Sequence, residues 1–428
     1  MSDNRIMNDE KQAFLDDFRT MSSFGATAGG GVDRQAATPE DGAVRAWFRE
    51  LLAGHGFDVR LDGIGNLFGL YEFTPGAPYV LFGSHLDSQP LAGKYDGAYG
   101  VLSAAHAAIR TIAAHREAGT TPRYNIAVVD WFNEEGSRFK PSMMGSAVYT
   151  GKLGLQTALE TTDPRGVTVR DALAGIELGT GSDAIPPIAA YGEIHIEQGP
   201  SMQEQGVTIG AVASTWCAYK YEVVVHGEQG HTGSMRMADR QDALLGAAHL
   251  IVAVNELIRE FPTETLHTTV SEMYLEPNSP VTIAREVRML VDLRAESTEE
   301  LEQAFALLQQ RIARIEETTR TRIEILSSSI WQSGPFVEAG VKLVEEAADE
   351  LGLTHARVKT LAGHDATNVK DLVPTVLVFV PSVDGISHNE REFTTDDDML
   401  AGVDVFTRVV AGLADGVLDE PGAGDGGA

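Results

Sequence analysis

Five short segments of the chain bring together acids and histidines: Gly-Ser-His85-Leu-Asp87-Ser, Lys-Tyr-Asp96-Gly, Asn-Glu134-Glu135-Gly, His195-Ile-Glu-Gln198-Gly and Gly-Ile-Ser-His388-Asn. Imidazole and carboxylate donors without cysteine suit Zn²⁺ or Mn²⁺. There are enough of them for two ions, the equipment of a two-metal hydrolase. Taken singly, each has a plainer reading. His85 and Asp87 would be a surface pair, Glu134–Glu135 a solvated strand end, His195 a core histidine and His388 a turn residue. Asp96 shifts the balance, because a carboxylate has two oxygens and can bridge two cations. In an extended segment His85 and Asp87 would point the same way. Asp87 could then hold the ring nitrogen that His85 does not offer to metal. Adjacent Glu134 and Glu135 repel one another, which a nearby cation relieves, leaving one of them free as a base.

These segments need elements to carry them. Apolar runs at 78–88, 125–135, 191–199 and 375–380 read as buried strands, and four of the five segments lie at the end of such a run. Helix-period stretches lie at 41–55, about 100–116, 336–352 and from about 396, and 59–72 reads as a hairpin. Strands alternating with helices predict an α/β layer architecture with ligands at strand ends. Between these parts the pattern changes. A period-two strand at 219–227 is followed by a helix at 242–261, strands at 267–276 and 286–294, a helix at 298–318 and a strand at 322–328. That β-α-β-β-α-β order resembles a ferredoxin-like unit. The expected organisation is a mixed-sheet α/β/α catalytic domain, discontinuous over 1–211 and 329–428, with an inserted α+β ferredoxin-like domain over 212–328. The tail 419–428 is expected to be disordered.

Composition excludes several classes of function. The net charge of −29, with only eight lysines, repels nucleic acid and anionic membranes, and it also suits a salt-exposed protein. No apolar stretch reaches the roughly 18 residues that span a bilayer. The start, MSDNRIMNDEK, has neither a basic n-region nor an apolar h-region, so a soluble, cytoplasmic protein is expected. The single cysteine, Cys217, leaves no disulfide framework or thiolate cluster and reads as a small buried side chain. The glycine-rich stretch near 26–32 lacks the Lys-Ser/Thr of a phosphate loop. No Gly-x-Ser-x-Gly elbow of a serine hydrolase is present.

Taken in order and spacing, H-L-D-(x)₈-D-G, N-E-E-G, H-I-E-Q-G-P, A-G-H-D-A and G-I-S-H-N resemble the dinuclear metal amidohydrolases of the M20 family. The likeness is to the branch holding N-carbamoyl-L-amino-acid hydrolases, β-ureidopropionases and allantoate amidohydrolases, and it covers nearly the whole chain. The resemblance implies two divalent ions per subunit, Zn or Mn, with Co or Ni accepted by the same donor types. His85 and His195 would hold one, Glu135 and His388 the other, with Asp96 bridging. Asp87 would orient His85, and Glu134 would be the general base. A histidine at position 195, where the peptidase members carry an acid, points to the carbamoylase branch.

The same resemblance implies that His231 (in H-G-E-Q-G-H-T-G-S) stabilises the oxyanion in the partner subunit's site. It further implies a homodimer whose inserted domain is a lid and dimerisation domain. Arg294, at the end of M-L-V-D-L-R, would grip the substrate carboxylate through paired hydrogen bonds, with Gln198 and His364 as further substrate contacts. Two segments depart from the family pattern: Val281 stands where an asparagine is usual, and Ser234–Met237 replaces a Thr-Pro-containing stretch. Both fall on the substrate side, where Arg236 could meet an additional anionic group. The implied reaction is hydrolysis of an N-carbamoyl-L-amino acid to the amino acid, ammonia and carbon dioxide. N-Carbamoyl-β-alanine, allantoate and acylated amino acids are the rival substrates, and a catalytically silent binding protein is the alternative of a different class.

Overall fold

A computed structural model describes residues 2–181 and 184–419. The chain divides into two compact units, Met1–Ala213 with Phe336–Ala428, and Ser214–Pro335. Of the tail expected to be disordered, residues 420–428 lie outside the described residues. Asp419 is described, and accepts a hydrogen bond from Tyr124 Oη at 2.7 Å.

The first unit is built on a mixed sheet. Strands Asn125–Asp130, Tyr79–Ser84, Ile188–Ile196 and Thr375–Val380 lie side by side in that order and run parallel. Leu67–Tyr71 and Asp58–Leu61 extend one side as an antiparallel hairpin, and Ile209–Thr215 pairs antiparallel with Thr375–Val380. Three of the parallel strands, Y-V-L-F-G-S, N-I-A-V-V-D and T-V-L-V-F-V, are buried at every position. Such near-continuous apolar runs arise because a parallel sheet is covered on both faces. Helices Ala98–Ala118 and Asp396–Ala414 pack on one another and on the sheet, with the Phe82 and Phe406 rings meeting edge-on at 5.9 Å.

Local signals start the helices. Thr38 caps Pro39–Gly54 by accepting the Asp41 N–H, and a proline opens the first turn. Thr395 caps Asp396–Ala414 by accepting the Asp398 N–H, with three aspartates at the positive end of the helix dipole.

The second unit carries a four-stranded antiparallel sheet. Its order is Arg322–Trp331, Cys217–His226, Glu286–Ala295, Leu266–Glu276. Numbered along the chain this is 4-1-3-2. Helices Ala243–Asn255 and Thr298–Thr319 pack over it around Val225, Leu250, Val291, Leu301 and Leu308. The β-α-β-β-α-β order read from periodicity is therefore present as a folded unit.

Three strands end earlier than their apolar runs. The run at 78–88 is a strand only to Ser84, that at 125–135 only to Asp130, and that at 191–199 only to Ile196. Side chains take over where the ladder stops: Leu86 N–H donates to Asp130 Oδ1 at 2.9 Å, and Glu134 N–H donates to Asp87 Oδ1 at 3.1 Å. Acidic side chains thus satisfy backbone donors that a longer strand would have paired. His85, Asp87, Glu134 and Glu135 stand in loops rather than on strand faces. The helix expected over 242–261 stops at Asn255 and continues as a tighter turn, Glu256–Glu260.

Candidate metal centre

The residues singled out in the first unit converge at one edge of its sheet. His85, Glu134–Glu135, His195 and His388 each lie at or just beyond the carboxyl end of one of the four parallel strands. Parallel strands present their carboxyl ends on the same edge, which is where open α/β sheets place ligands. Asp96 occupies the turn before Ala98–Ala118. Gly97, between them, has φ +63°, and a Cβ there would sit 2.2 Å from His85 Nε2. Only glycine lets this turn close against the imidazole.

Two donor groups form, sharing Asp96: His85, Asp96 and His195, and Asp96, Glu135 and His388. Asp96 Oδ1 lies 3.1 Å from His195 Nε2 and 3.6 Å from His85 Nε2. Asp96 Oδ2 lies 3.1 Å from His388 Nε2, which is 3.5 Å from Glu135 Oε2. Ligand atoms at roughly 2.1 Å from one tetrahedral Zn²⁺ would stand about 3.4 Å apart, so the spacing fits a cation in each group.

Ring orientation fits as well. His85 Nδ1 lies 3.0 Å from the Asp87 carbonyl oxygen and His195 Nδ1 lies 2.9 Å from the Ile196 carbonyl oxygen. A carbonyl accepts only, so each Nδ1 carries the hydrogen and each Nε2 offers its lone pair to the shared carboxylate side. The expected contact from His85 to the Asp87 carboxylate is longer, 3.5 Å. Asp87 orients the ring through its carbonyl, while its carboxylate gathers the N–H groups of Glu134 and Glu135.

Electrostatics point the same way. Burial alone would lower the His85 pKa, but Glu134, Asp87 and Asp96 raise it well above the usual value. His388 is raised to about 9, with Glu135 and Asp96 outweighing burial. Burial would raise the Asp96 carboxyl, yet the three imidazoles hold it well below the carboxylate range. Carboxylates that attract a proton to these rings attract a divalent cation for the same reason. Burial pushes the Glu134 carboxyl well above its usual range; His85 opposes this, and Asp365, Glu135 and Asp87 add to it. Glu134 is in neither donor group, and its Oε2 stands 3.5 Å from His85 Nε2.

Gln198, at φ +57°, donates through Nε2 to Asp96 Oδ2 at 2.8 Å and to Ser387 Oγ at 3.0 Å. Its side chain meets the second donor group directly. His364 is buried, bonded to Thr360 Oγ1 at 3.0 Å, with its ring 4.4 Å from that of His195. His388, Gln198 and Asn133 all adopt left-handed backbone conformations, an unfavourable state for non-glycine residues that gathers at functional sites.

His231 and Arg294 belong to the second unit. His231 is exposed, and its Nδ1 accepts the N–H groups of Gly233 and Ser234 at 3.0 and 3.3 Å. The ring hydrogen is thereby placed on Nε2. Arg294 is paired with Asp292, Nη2 to Oδ2 at 2.8 Å, two residues away on the same face of the strand. Val281 has φ +61° and is exposed, and Arg236 pairs with Asp239 at 2.6 Å. Cys217 is buried.

Several residues of the site were not singled out from sequence. Gln89 donates to both carboxylate oxygens of Glu135, Ser387 meets Gln198, and Glu392 holds the Asp96 turn. Their one common signal is proximity along the chain to a ligand. Glu193 and Asp365 form a second pair of buried acids behind His195, and Glu193 accepts from Ser84 Oγ, Tyr191 Oη and the Ala366 N–H.

Comparison with known proteins agrees with this geometry. The model of peptidase family M20/M25/M40 matches residues 81–412. A Mycolicibacterium smegmatis protein named only as a hydrolase is 54% identical over 417 residues, covering 96% of this chain and 95% of that one. The N-carbamoyl-L-amino-acid amidohydrolase of Rhizobium meliloti is 32% identical over 415 residues, covering 96% and 98%. The crystal structure of a hydantoinase/carbamoylase family amidase from Burkholderia vietnamiensis superposes with a TM-score of 0.88 at 34% identity, covering 94% of this chain and 97% of that one. The chain thus belongs to peptidase family M20/M25/M40, and to its amidohydrolase branch.

Proposed function

We propose that the protein hydrolyses the carbon–nitrogen bond of an N-carbamoyl-L-α-amino acid, using two divalent cations per subunit. The observation that carries this reading is Asp96, whose two oxygens each face a separate donor group. His85 and His195 would hold one cation, Glu135 and His388 the other, with Asp96 between them. Bound there, a cation pair acidifies water and polarises the scissile carbonyl.

The remaining chemistry belongs to the chain. Glu134, beside the centre but outside both donor groups, takes the proton of the attacking water and returns it to the departing nitrogen. Burial, which raises its carboxyl well above the usual range, suits a group that must hold a proton as well as release it. His231 donates its Nε2–H to the oxyanion in the partner subunit's site, in keeping with a tautomer set by the turn that follows it. Arg294 clamps the α-carboxylate, with Asp292 holding the guanidinium in orientation. The overall balance is R–NH–CO–NH₂ + H₂O → R–NH₂ + CO₂ + NH₃.

A homodimer accompanies this reading. Helix Ala243–Asn255 buries Ala243, Ala247, Leu250 and Val254, yet exposes Leu244, Leu245, Ile251 and Val252 on its other side. A helix that is apolar all round calls for a second apolar partner. Strand Leu266–Glu276 also ends the small sheet with one side unpaired among the described residues. A second copy of the chain satisfies both features at once.

The test is an assay of ammonia release by protein reloaded with Zn²⁺, Mn²⁺, Co²⁺ or Ni²⁺. The panel holds N-carbamoyl-L-amino acids, N-carbamoyl-β-alanine, allantoate and N-acyl amino acids. Turnover fastest on an N-carbamoyl-L-amino acid is expected, and no metal-dependent turnover on any member would sink the reading.

A further inference from the structure

Glu392 is a buried acid that lies in neither donor group. A carboxylate buried close to Asp96 is unfavourable unless its oxygens are well used. Both are used, and each by a different ligand-bearing segment. Oε1 accepts the N–H groups of Tyr95 and Asp96, at 3.0 and 3.1 Å. Oε2 accepts the hydroxyl of Ser387, the residue before His388, at 2.9 Å. The turn wraps so closely that a Cβ on Gly93 would lie 2.0 Å from Oε1. Ser387 Oγ in turn lies 3.4 Å from Asp96 Oδ2 and receives Gln198 Nε2 at 3.0 Å.

The segments so joined are almost 300 residues apart in sequence, as the 296-residue separation of Glu392 from Asp96 shows. His388 has need of such support. It is half exposed, sits in a loop and has φ +52°, whereas His85 and His195 are buried, with Nδ1 held by a backbone carbonyl.

We propose that Glu392 is a positioning residue that locks the Asp96 turn to the His388 loop, so that the cation of the Asp96–Glu135–His388 group depends on it more than the other does. This rests on the two-cation reading above. Removing the strut loosens His388 relative to Asp96 Oδ2, while His85, His195 and Asp96 Oδ1 keep their spacing. Residues that orient metal ligands in this way typically change affinity about 10–100-fold.

The experiment counts ions in the full-length protein. Wild type, Glu392→Ala, Glu392→Gln and Ser387→Ala are loaded with Zn²⁺, passed over a moderate chelating resin and measured by elemental analysis, with thermal melting as a check of folding. Wild type should retain two ions per chain and Glu392→Ala one. Glu392→Gln, which keeps an acceptor for the turn, should recover the second ion. Ser387→Ala removes the hydroxyl link to Glu392 together with the acceptor for Gln198 Nε2, leaves the buried carboxylate in place and should weaken the second ion about tenfold. It decides the matter if Glu392→Ala does not fold. His388→Ala should also retain one ion, and adding Glu392→Ala to it should release no more. Two ions held with equal affinity in wild type, Glu392→Ala and Ser387→Ala would overturn this inference alone. Fewer than two in wild type would overturn the two-cation reading and this inference with it.

Discussion

Glu134 and Glu135 are neighbours in sequence with opposite assignments, and the geometry explains the division. Glu135 points to His388 and is held by Gln89, while Glu134 points to His85 from outside the donor groups. Glu134→Gln should therefore lower kcat by about 10²–10⁴-fold and leave the metal content at the wild-type level. Turnover and elemental analysis of one preparation check both halves. Arg294 makes a different prediction. A lysine keeps the charge but loses the paired hydrogen bonds, so Arg294→Lys should raise KM for a carboxylate substrate with a smaller change in kcat. Equal KM values for the two proteins would remove Arg294 from substrate binding.

At the scale of elements, the centre depends on what happens just past the strand ends. Arg45, on helix Pro39–Gly54, pairs at 3.2 Å with Asp130, which in turn holds Leu86. The helix therefore braces the His85 loop from below. Gly97→Ala would drive a methyl group into the His85 ring and impose a side chain at φ +63°. Loss of the ion proposed for the His85–His195 group, read as metal content in a protein that still folds, is the expected result. Asp41 lies in the same buried web, and burial raises its carboxyl to about 7 despite Arg45. An unfolded aspartate titrates near 3.9. Between these values the native state keeps a proton that the unfolded chain has lost, so stability falls as pH rises from about 4 through about 7. Melting temperatures across that range should show the slope in wild type and a shallower one in Asp41→Asn.

At the scale of the whole molecule, the exposed apolar face of helix Ala243–Asn255 is the feature that a lone chain leaves unexplained. If it is the seam of a homodimer, Leu245→Glu with Val252→Glu should shift sedimentation from dimer to monomer. Catalysis should fall with it, because His231 is assigned to the partner's oxyanion. The net charge of −29 opposes association through long-range repulsion, which salt screens. Dimerisation should accordingly strengthen between low and physiological ionic strength.

Much of this was legible in the sequence, for a physical reason. Metal donors are few in kind, and strand periodicity shows where the chain must turn, so the segments that carry the candidate donors, the buried strands and the β-α-β-β-α-β order could be read from residue type and spacing. The helices Met144–Tyr149, Leu155–Glu160 and Val169–Ala174 escaped because they are only six residues each and owe their form to a small local core around Phe132, Phe139 and Leu173. Gln89, Ser387 and Glu392 escaped because hydrogen-bond partners 46, 189 and 296 residues away leave no periodic trace. The sequence by itself determined which donors exist and on which elements they travel. Only the tertiary structure decided that Asp96 faces both groups, that Asp87 orients His85 through its carbonyl, and that the strands stop early enough for acids to replace the ladder, because each depends on distances set by segments far apart in the chain.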